Sequence, residues 1–81
     1  MYVTVRLFAR LREAAGVADC ECRVAPGATA ADVWRALVEQ YPSLGPFEGS
    51  VSCAINADFA KSTARVQEGD EVAFLPPVSG G

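Results

Sequence analysis

The residues whose chemistry is most apparent form the end of the chain, Pro76-Pro77-Val78-Ser79-Gly80-Gly81. Proline lacks a backbone N–H and favours extended conformations, so the proline pair should end a preceding strand and direct the chain away from the sheet. Glycine lacks a Cβ, so Gly80 and Gly81 allow the backbone to pass through a narrow channel. The reactive group that such a tail presents is the α-carboxylate of Gly81. We therefore predict that the tail enters the active site of a partner protein.

Other reactive side chains are few. The sequence contains no histidine, which removes the commonest general base and the usual partner of a serine or cysteine nucleophile. The cysteines Cys20, Cys22 and Cys53 are odd in number and follow no secretory signal, so they do not indicate a disulfide framework. Cys20 and Cys22 would supply only part of a tetrahedral zinc site, and we expect no metal. This composition disfavours an independent hydrolase.

Length and charge narrow the class of protein further. A chain of 81 residues with 51% hydrophobic content predicts one small domain, without room for a separate catalytic domain. The net charge is -3, and the scattered arginines do not form the basic stripe of a nucleic-acid-binding protein. No apolar run approaches the roughly 18 residues of a membrane span, and the first residues lack the layout of a signal peptide. We expect a cytoplasmic protein that binds neither nucleic acid nor membrane.

The tail is predicted to follow a small sheet. Residues 2–9 alternate between an apolar face with Val3, Val5 and Leu7 and an opposite face that includes Phe8, which indicates a half-buried strand. Further strands are predicted over residues 17–25, 50–56 and 71–75, with a short strand inside 58–66. A tight turn around Gly69 precedes the last strand.

One main helix is predicted to cover this sheet. Thr29 is placed to cap its start, and Asp32 favours the positive end of the helix dipole. Its apolar residues recur at helical spacing and form one stripe, Ala30, Val33, Trp34, Leu37, Val38 and Tyr41. Pro42 should end this helix and open a loop over residues 42–49. Residues 10–16 predict a second, short helix that ends at a glycine.

The order of these elements predicts the fold class. A helix with one apolar stripe must bury that stripe against one face of a sheet. Two strands, a helix and then further strands is the order of an α+β β-grasp roll, in which a mixed sheet of four to five strands packs on one main helix plus a short helix. We expect the β-grasp domain to cover residues 1–75 and an extended Gly-Gly tail to cover 76–81.

Three stretches of the sequence resemble one known family. The ending GDEVAFLPPVSGG, the start VRLFARLREAAG and the segment INADFA are similar to those of the ubiquitin-like sulfur-carrier family, in the form found in the small subunit of molybdopterin synthase. The resemblance covers nearly the whole chain. Its most specific part is the proline pair followed by Val78, Ser79 and the Gly80-Gly81 terminus.

The resemblance implies a function for this terminus. An adenylating (activating) enzyme would use ATP to convert the Gly81 carboxylate into an adenylate. Transfer of sulfur from a sulfur donor enzyme would then convert this adenylate into a thiocarboxylate at Gly81. The tail would then enter the large subunit of molybdopterin synthase, where its sulfur is passed to a pterin precursor during molybdenum cofactor biosynthesis. This chain would bind no cofactor itself. It would be a sulfur-donating subunit, with the active-site side chains in the large subunit.

We also predict a docking surface beside the tail. Phe8 lies opposite the core-facing residues of the first strand, and Leu75 should point away from the core in the last strand. Phe59 falls where the resembling family carries a large apolar residue. We expect these three residues, together with Pro76, Pro77 and the tail, to bind the partner, because exposed apolar patches usually mark interaction sites.

Three alternatives remain open at this level. The activated terminus could instead be attached to lysines of other proteins, as in ubiquitin-like modification; Lys61 is the chain's only lysine. A related carrier could serve thiamine, cysteine or thio-tRNA synthesis. A β-grasp interaction module with no chemistry at its end would remain functional if residues were appended to Gly81.

Overall fold

The computed structural model describes residues 1–77. Within this range the chain forms strands β1 (Tyr2–Leu7), β2 (Asp19–Arg23), β3 (Ser52–Ile55), β4 (Asp58–Ala60) and β5 (Glu71–Leu75). The helices are α1 (Ala9–Ala15) and α2 (Ala30–Gln40), followed by a 3-10 helix over Pro42–Phe47. Two strands, the main helix and three further strands follow in the predicted order.

The sheet places the C-terminal strand at its centre. The strand order is β2-β1-β5-β3-β4. Strands β1 and β5 are parallel, while β2, β3 and β4 each pair antiparallel with their neighbours. The two N-terminal strands therefore lie on one side of β5 and the β3–β4 hairpin on the other. The predicted α+β β-grasp fold is confirmed.

The core lies between α2 and the inner face of the sheet. Val3, Val5 and Leu7 of β1 are buried as the alternation predicts, and Val72 and Phe74 of β5 lie beside them. From the helix the core receives Val33, Trp34 and Leu37. The rings of Trp34 and Phe74 pack at a centroid distance of 5.1 Å, which joins the helix to the central strand.

A capping box fixes the start of α2. The Thr29 hydroxyl oxygen accepts a hydrogen bond from the backbone N–H of Asp32 at 3.3 Å, and the Asp32 carboxylate accepts one from the backbone N–H of Thr29 at 2.9 Å. These bonds satisfy amides that the first helical turn leaves unpaired. The bond from the Thr29 backbone lowers the pKa of Asp32, with smaller contributions from the Thr29 hydroxyl and Arg35.

The structure corrects several predicted boundaries. The first strand ends at Leu7 instead of residue 9, because Phe8 becomes the N-cap of α1. The second strand spans 19–23 instead of 17–25, and only Asp58–Ala60 of the segment 58–66 is a strand. The predicted loop 42–49 contains the 3-10 helix; a proline in its first turn needs no N–H there, and Leu44 anchors the turn in the core.

Candidate functional site

The candidate site begins where β5 leaves the sheet. The strand ends at Leu75, immediately before the half-buried Pro76 and the exposed Pro77. At this end β5 has β1 on one side and β3 on the other, so the tail departs from the middle of the sheet. The predicted tail residues Val78, Ser79, Gly80 and Gly81 lie outside the described residues.

Strand register places Phe59 on the face of the sheet that is turned away from α2, here called the outer face. Ala73 pairs with Ala54, and Ala54 pairs with Phe59. Directly paired residues point to the same face, so these side chains form one row across β5, β3 and β4. Ala73 lies between the buried Val72 and Phe74, which face α2, so this row faces outward. Phe59 lies at the β4 end of this row and is 79% exposed.

Leu75 belongs to the next row of the same face. It pairs with the exposed Ser52 and follows the inward-facing Phe74. Its side chain is half-buried, and the strand that carries it continues into Pro76. The prediction that Leu75 points away from the core agrees with this register.

Phe8 reaches the same face from the beginning of α1. The residue is 39% exposed, and its ring centroid lies 5.7 Å from the guanidinium carbon of Arg6. Arg6 pairs with Ala73, so it is an outer-face residue. Phe8 follows Leu7, the partner of Phe74, which brings its backbone level with Leu75. Phe8, Leu75 and Phe59 thus lie on one face of the sheet, with Phe8 and Leu75 at the end where the tail leaves and Phe59 two strands away on β4. We call these three residues the outer apolar patch.

Charged side chains lie on the same face as the outer apolar patch. Arg6 and Glu71 approach to 3.8 Å with both side chains about half exposed, so this ion pair adds little to stability. Arg23 lies over the ring of Tyr2 at 5.7 Å. The outer face therefore carries charged side chains on β1, β2 and the first residue of β5, next to the aromatic rings of Phe8 and Tyr2.

The three cysteines are free thiols. Each pairs with a residue that faces α2, so all three lie on the helix side of the sheet. Cys22 and Cys53 are buried and Cys20 is half-buried; the Cys53 thiol donates to the carbonyl of Ala60 at 3.2 Å. Desolvation raises the pKa of all three thiols. They are consequently protonated and weakly nucleophilic near neutral pH. Within residues 1–77, no group of three or more His, Cys, Asp or Glu side chains is arranged to hold a metal ion.

Sequence reasoning missed a cleft on the helix side of the sheet. The cleft measures about 270 Å³ and lies between the start of α2 and residues 48–51. Trp34 and Phe74 form part of its wall, and the Trp34 indole N–H donates to Glu48 at 3.1 Å. The apolar stripe had indicated Trp34 only as a core residue. No sequence signal pointed to Glu48, because its relation to Trp34 depends on the conformation of the 3-10 helix.

None of the helices found between residues 1 and 77 has the length and apolar character that crossing a bilayer requires.

Comparisons with known proteins agree with the fold. Residues 5–81 match the ThiS family. The chain is 39% identical to the molybdopterin synthase sulfur carrier subunit of Arabidopsis thaliana, over 98% of this chain and 82% of that protein. The crystal structure of SAMP1 from Haloferax volcanii superposes with a TM-score of 0.89 at 31% identity and full coverage of both chains.

A more distant structure contains the same fold in a complex. The protein–protein complex of subunits 1 and 2 of the molybdopterin-converting factor from Helicobacter pylori includes a chain that matches with a TM-score of 0.68. The identity is 23%, with full coverage of both chains, so this likeness concerns the fold.

Proposed function

The chain belongs to the ThiS family, and on that basis we propose that it is the sulfur carrier subunit of a molybdopterin synthase. The observation that carries this proposal is the family match through residue 81, which includes the Gly-Gly tail that follows the central strand β5. A central strand is held on both sides, so the fold can remain intact while the tail occupies a partner.

The chemistry takes place at the Gly81 carboxylate. A carboxylate is a poor electrophile, and reaction with ATP on the activating enzyme gives a mixed anhydride with AMP and releases pyrophosphate. A persulfide on a sulfur donor enzyme then attacks the carbonyl carbon and displaces AMP, which gives an acyl disulfide. A second thiol reduces this acyl disulfide, so that the thiocarboxylate is released and a disulfide remains on the donor side. The chain itself binds no cofactor in this scheme, and ATP is used by the activating enzyme.

The large subunit of the synthase is the proposed acceptor of this tail. In this subunit the thiocarboxylate sulfur would form a bond to carbon of the pterin precursor. Water would then cleave the bond between this sulfur and the Gly81 carbonyl carbon, which returns the terminus to a carboxylate. The outer apolar patch of Phe8, Phe59 and Leu75 lies on one face of the sheet that carries the tail and would dock against the same partner. Docking positions the tail before the reaction, which reduces the entropy lost at the reacting step.

The thiols of this chain take no part in the proposed transfer. Their pKa values are raised by burial, which favours the protonated form over the nucleophilic thiolate. Three free thiols also suit a reducing compartment, and we propose the cytoplasm as the site of action.

The test is a reconstituted reaction with ATP, the activating enzyme, a sulfur donor and the large subunit. Intact-mass analysis should detect replacement of one oxygen by sulfur on the wild-type chain. Deletion of Gly81, or addition of one residue after it, should abolish this mass change and product formation while the melting temperature stays unchanged. An extended chain that still transfers sulfur would contradict the proposed mechanism.

A second candidate is covalent modification of other proteins. The structural likeness to the small archaeal modifier SAMP1 favours it, because a modifier uses the same activated terminus on a lysine amine. Incubation with the activating enzyme, ATP and a cell extract distinguishes the two functions. Stable, thiol-resistant adducts in place of a thiocarboxylate would support modification, and a Lys61→Arg chain would show whether adducts join copies of this protein.

A further inference from the structure

We propose that the cleft between α2 and Glu48, here called the helix-side cleft, receives an arginine side chain from the large synthase subunit. This inference rests on the proposed function, because the arginine would belong to the protein that accepts the tail. It adds a second contact on the face of the sheet opposite the outer apolar patch.

The position of the cleft connects it to the tail. Cys53 and Phe74 line the cleft and pair with each other across β3 and β5. The next pair, Ser52 and Leu75, is the last before β5 gives way to Pro76. Val51, another lining residue, directly precedes Ser52. A partner that encloses the tail at this end of the sheet therefore also reaches the mouth of the cleft.

The size of the cleft fits a side chain better than a cofactor. Its volume of about 270 Å³ lies at the lower limit of the roughly 300–1,000 Å³ that small-molecule pockets occupy, and it is large enough for one long side chain. Ala30, Ala31 and Val51 supply apolar wall, and Trp34 and Phe74 close the inner side. Such walls suit the aliphatic stem of a long side chain.

Charge determines what the end of that side chain should be. Among residues 1–77, the Glu48 carboxylate accepts one hydrogen bond, from Trp34, and forms no ion pair. Arg35 also lines the cleft, but Asp32 pairs with its guanidinium at 3.1 Å and compensates its charge. The mouth thus retains one uncompensated negative charge, which favours a cation.

Arginine matches these features better than lysine. The Trp34 N–H uses Oε1 of Glu48, which leaves Oε2 available to a new donor. The forked donors of a guanidinium can bond Oε2 while one of them remains directed toward solvent at the open mouth. A guanidinium is also more weakly hydrated than an ammonium group, so it loses less on entering a half-enclosed site.

The variant that tests this inference is Glu48→Gln. The glutamine Oε1 still accepts from Trp34, so the cleft keeps its shape and only the charge is removed. Glu39→Gln is the matched control: Glu39 is an exposed residue of α2 beside a different surface groove, and it loses the same charge. Equal melting temperatures for both variants and the wild type would establish that the fold is unchanged.

The measurement is the affinity of the full chain for the large subunit by calorimetry at low and high salt. We expect Glu48→Gln to weaken binding about fivefold at low salt, with a smaller difference at high salt, and Glu39→Gln to bind as the wild type does. Trp34 is the only tryptophan, so its indole N–H gives one NMR signal, which should shift when the large subunit binds. A Glu48→Arg chain should bind poorly and recover when one arginine of the large subunit is changed to glutamate.

The outcomes separate this inference from the function on which it rests. If Glu48→Gln binds as the wild type does and the indole signal does not move, while loss of the tail still prevents binding, the cleft is not a docking site and the proposed function stands. If the wild-type chain does not bind the large subunit, both proposals fail. An indole shift that appears with the activating enzyme but not with the large subunit would overturn the assignment of the arginine to the large subunit.

Discussion

Phe59 provides the sharpest separation of binding from stability in this protein. It lies on the short edge strand β4 with 79% of its surface exposed. Full burial of a phenylalanine side chain contributes roughly 1.5–3 kcal/mol. Since only about a fifth of that surface is buried in the free chain, Phe59→Ala should lower the free energy of unfolding by about 0.5 kcal/mol.

The effect on partner binding should be larger. If the large subunit covers the exposed part of the ring, the substitution removes about 2 kcal/mol of binding free energy, which corresponds to a Kd increase of roughly 30-fold. Phe8→Glu and Leu75→Glu should also weaken binding to the large subunit and the activating enzyme. Leu75 is half-buried, so its variant should lose more stability than Phe59→Ala.

Tyr2 supplies the matched control. It is an aromatic residue of the same sheet with 48% exposure, and it pairs with Arg23 at the end of β1 that is remote from the tail exit. We expect Tyr2→Ala to leave the affinity unchanged. Calorimetric titration of each variant measures its affinity for the large subunit, and thermal melting measures its stability.

Two results would refute the reasoning. A large fall in melting temperature for Phe59→Ala, with the affinity per folded molecule unchanged, would assign Phe59 to the fold instead of the docking surface. Equal losses of affinity for Phe59→Ala and Tyr2→Ala would show that the contact is not confined to the outer apolar patch.

Two further predictions concern protonation. Burial raises the pKa of the thiols of Cys20, Cys22 and Cys53, so these thiols should react with iodoacetamide more slowly than a free thiol at pH 7.5, as measured by mass spectrometry. The variant with all three cysteines changed to serine should still be loaded with sulfur. A folded triple variant that cannot be loaded would contradict transfer through Gly81. The folded state lowers the pKa of Asp32, so its contribution to stability is present above the unfolded pKa and is lost as pH falls through the folded pKa. Asp32→Asn should therefore be less stable than the wild type at pH 7, with the difference shrinking toward pH 2 in denaturant titrations, and a difference independent of pH would show that the carboxylate charge is unimportant.

The sequence by itself determined the features that depend on neighbouring residues. The apolar spacing from Ala30 to Leu37 identified the main helix, and the Thr29 and Asp32 pair identified its start, because helical period and capping act within one or two turns. Alternation in residues 3–7 identified the buried face of the first strand. The order of the elements then limited the fold to a β-grasp, and the proline pair with Gly80-Gly81 indicated a tail that works in a partner.

Only the tertiary structure decided which distant residues share a surface. Phe59 lies beside Ala54 and Ala73 because the register of three strands places it there, and no local pattern fixes that register. Phe8 was predicted inside the first strand, but the turn into α1 makes it a cap whose ring lies beside Arg6. The helix-side cleft depends on the 3-10 helix after α2, which carries Glu48 back to Trp34. Contacts of this kind join residues that are separated along the chain, so packing of the whole domain determines them.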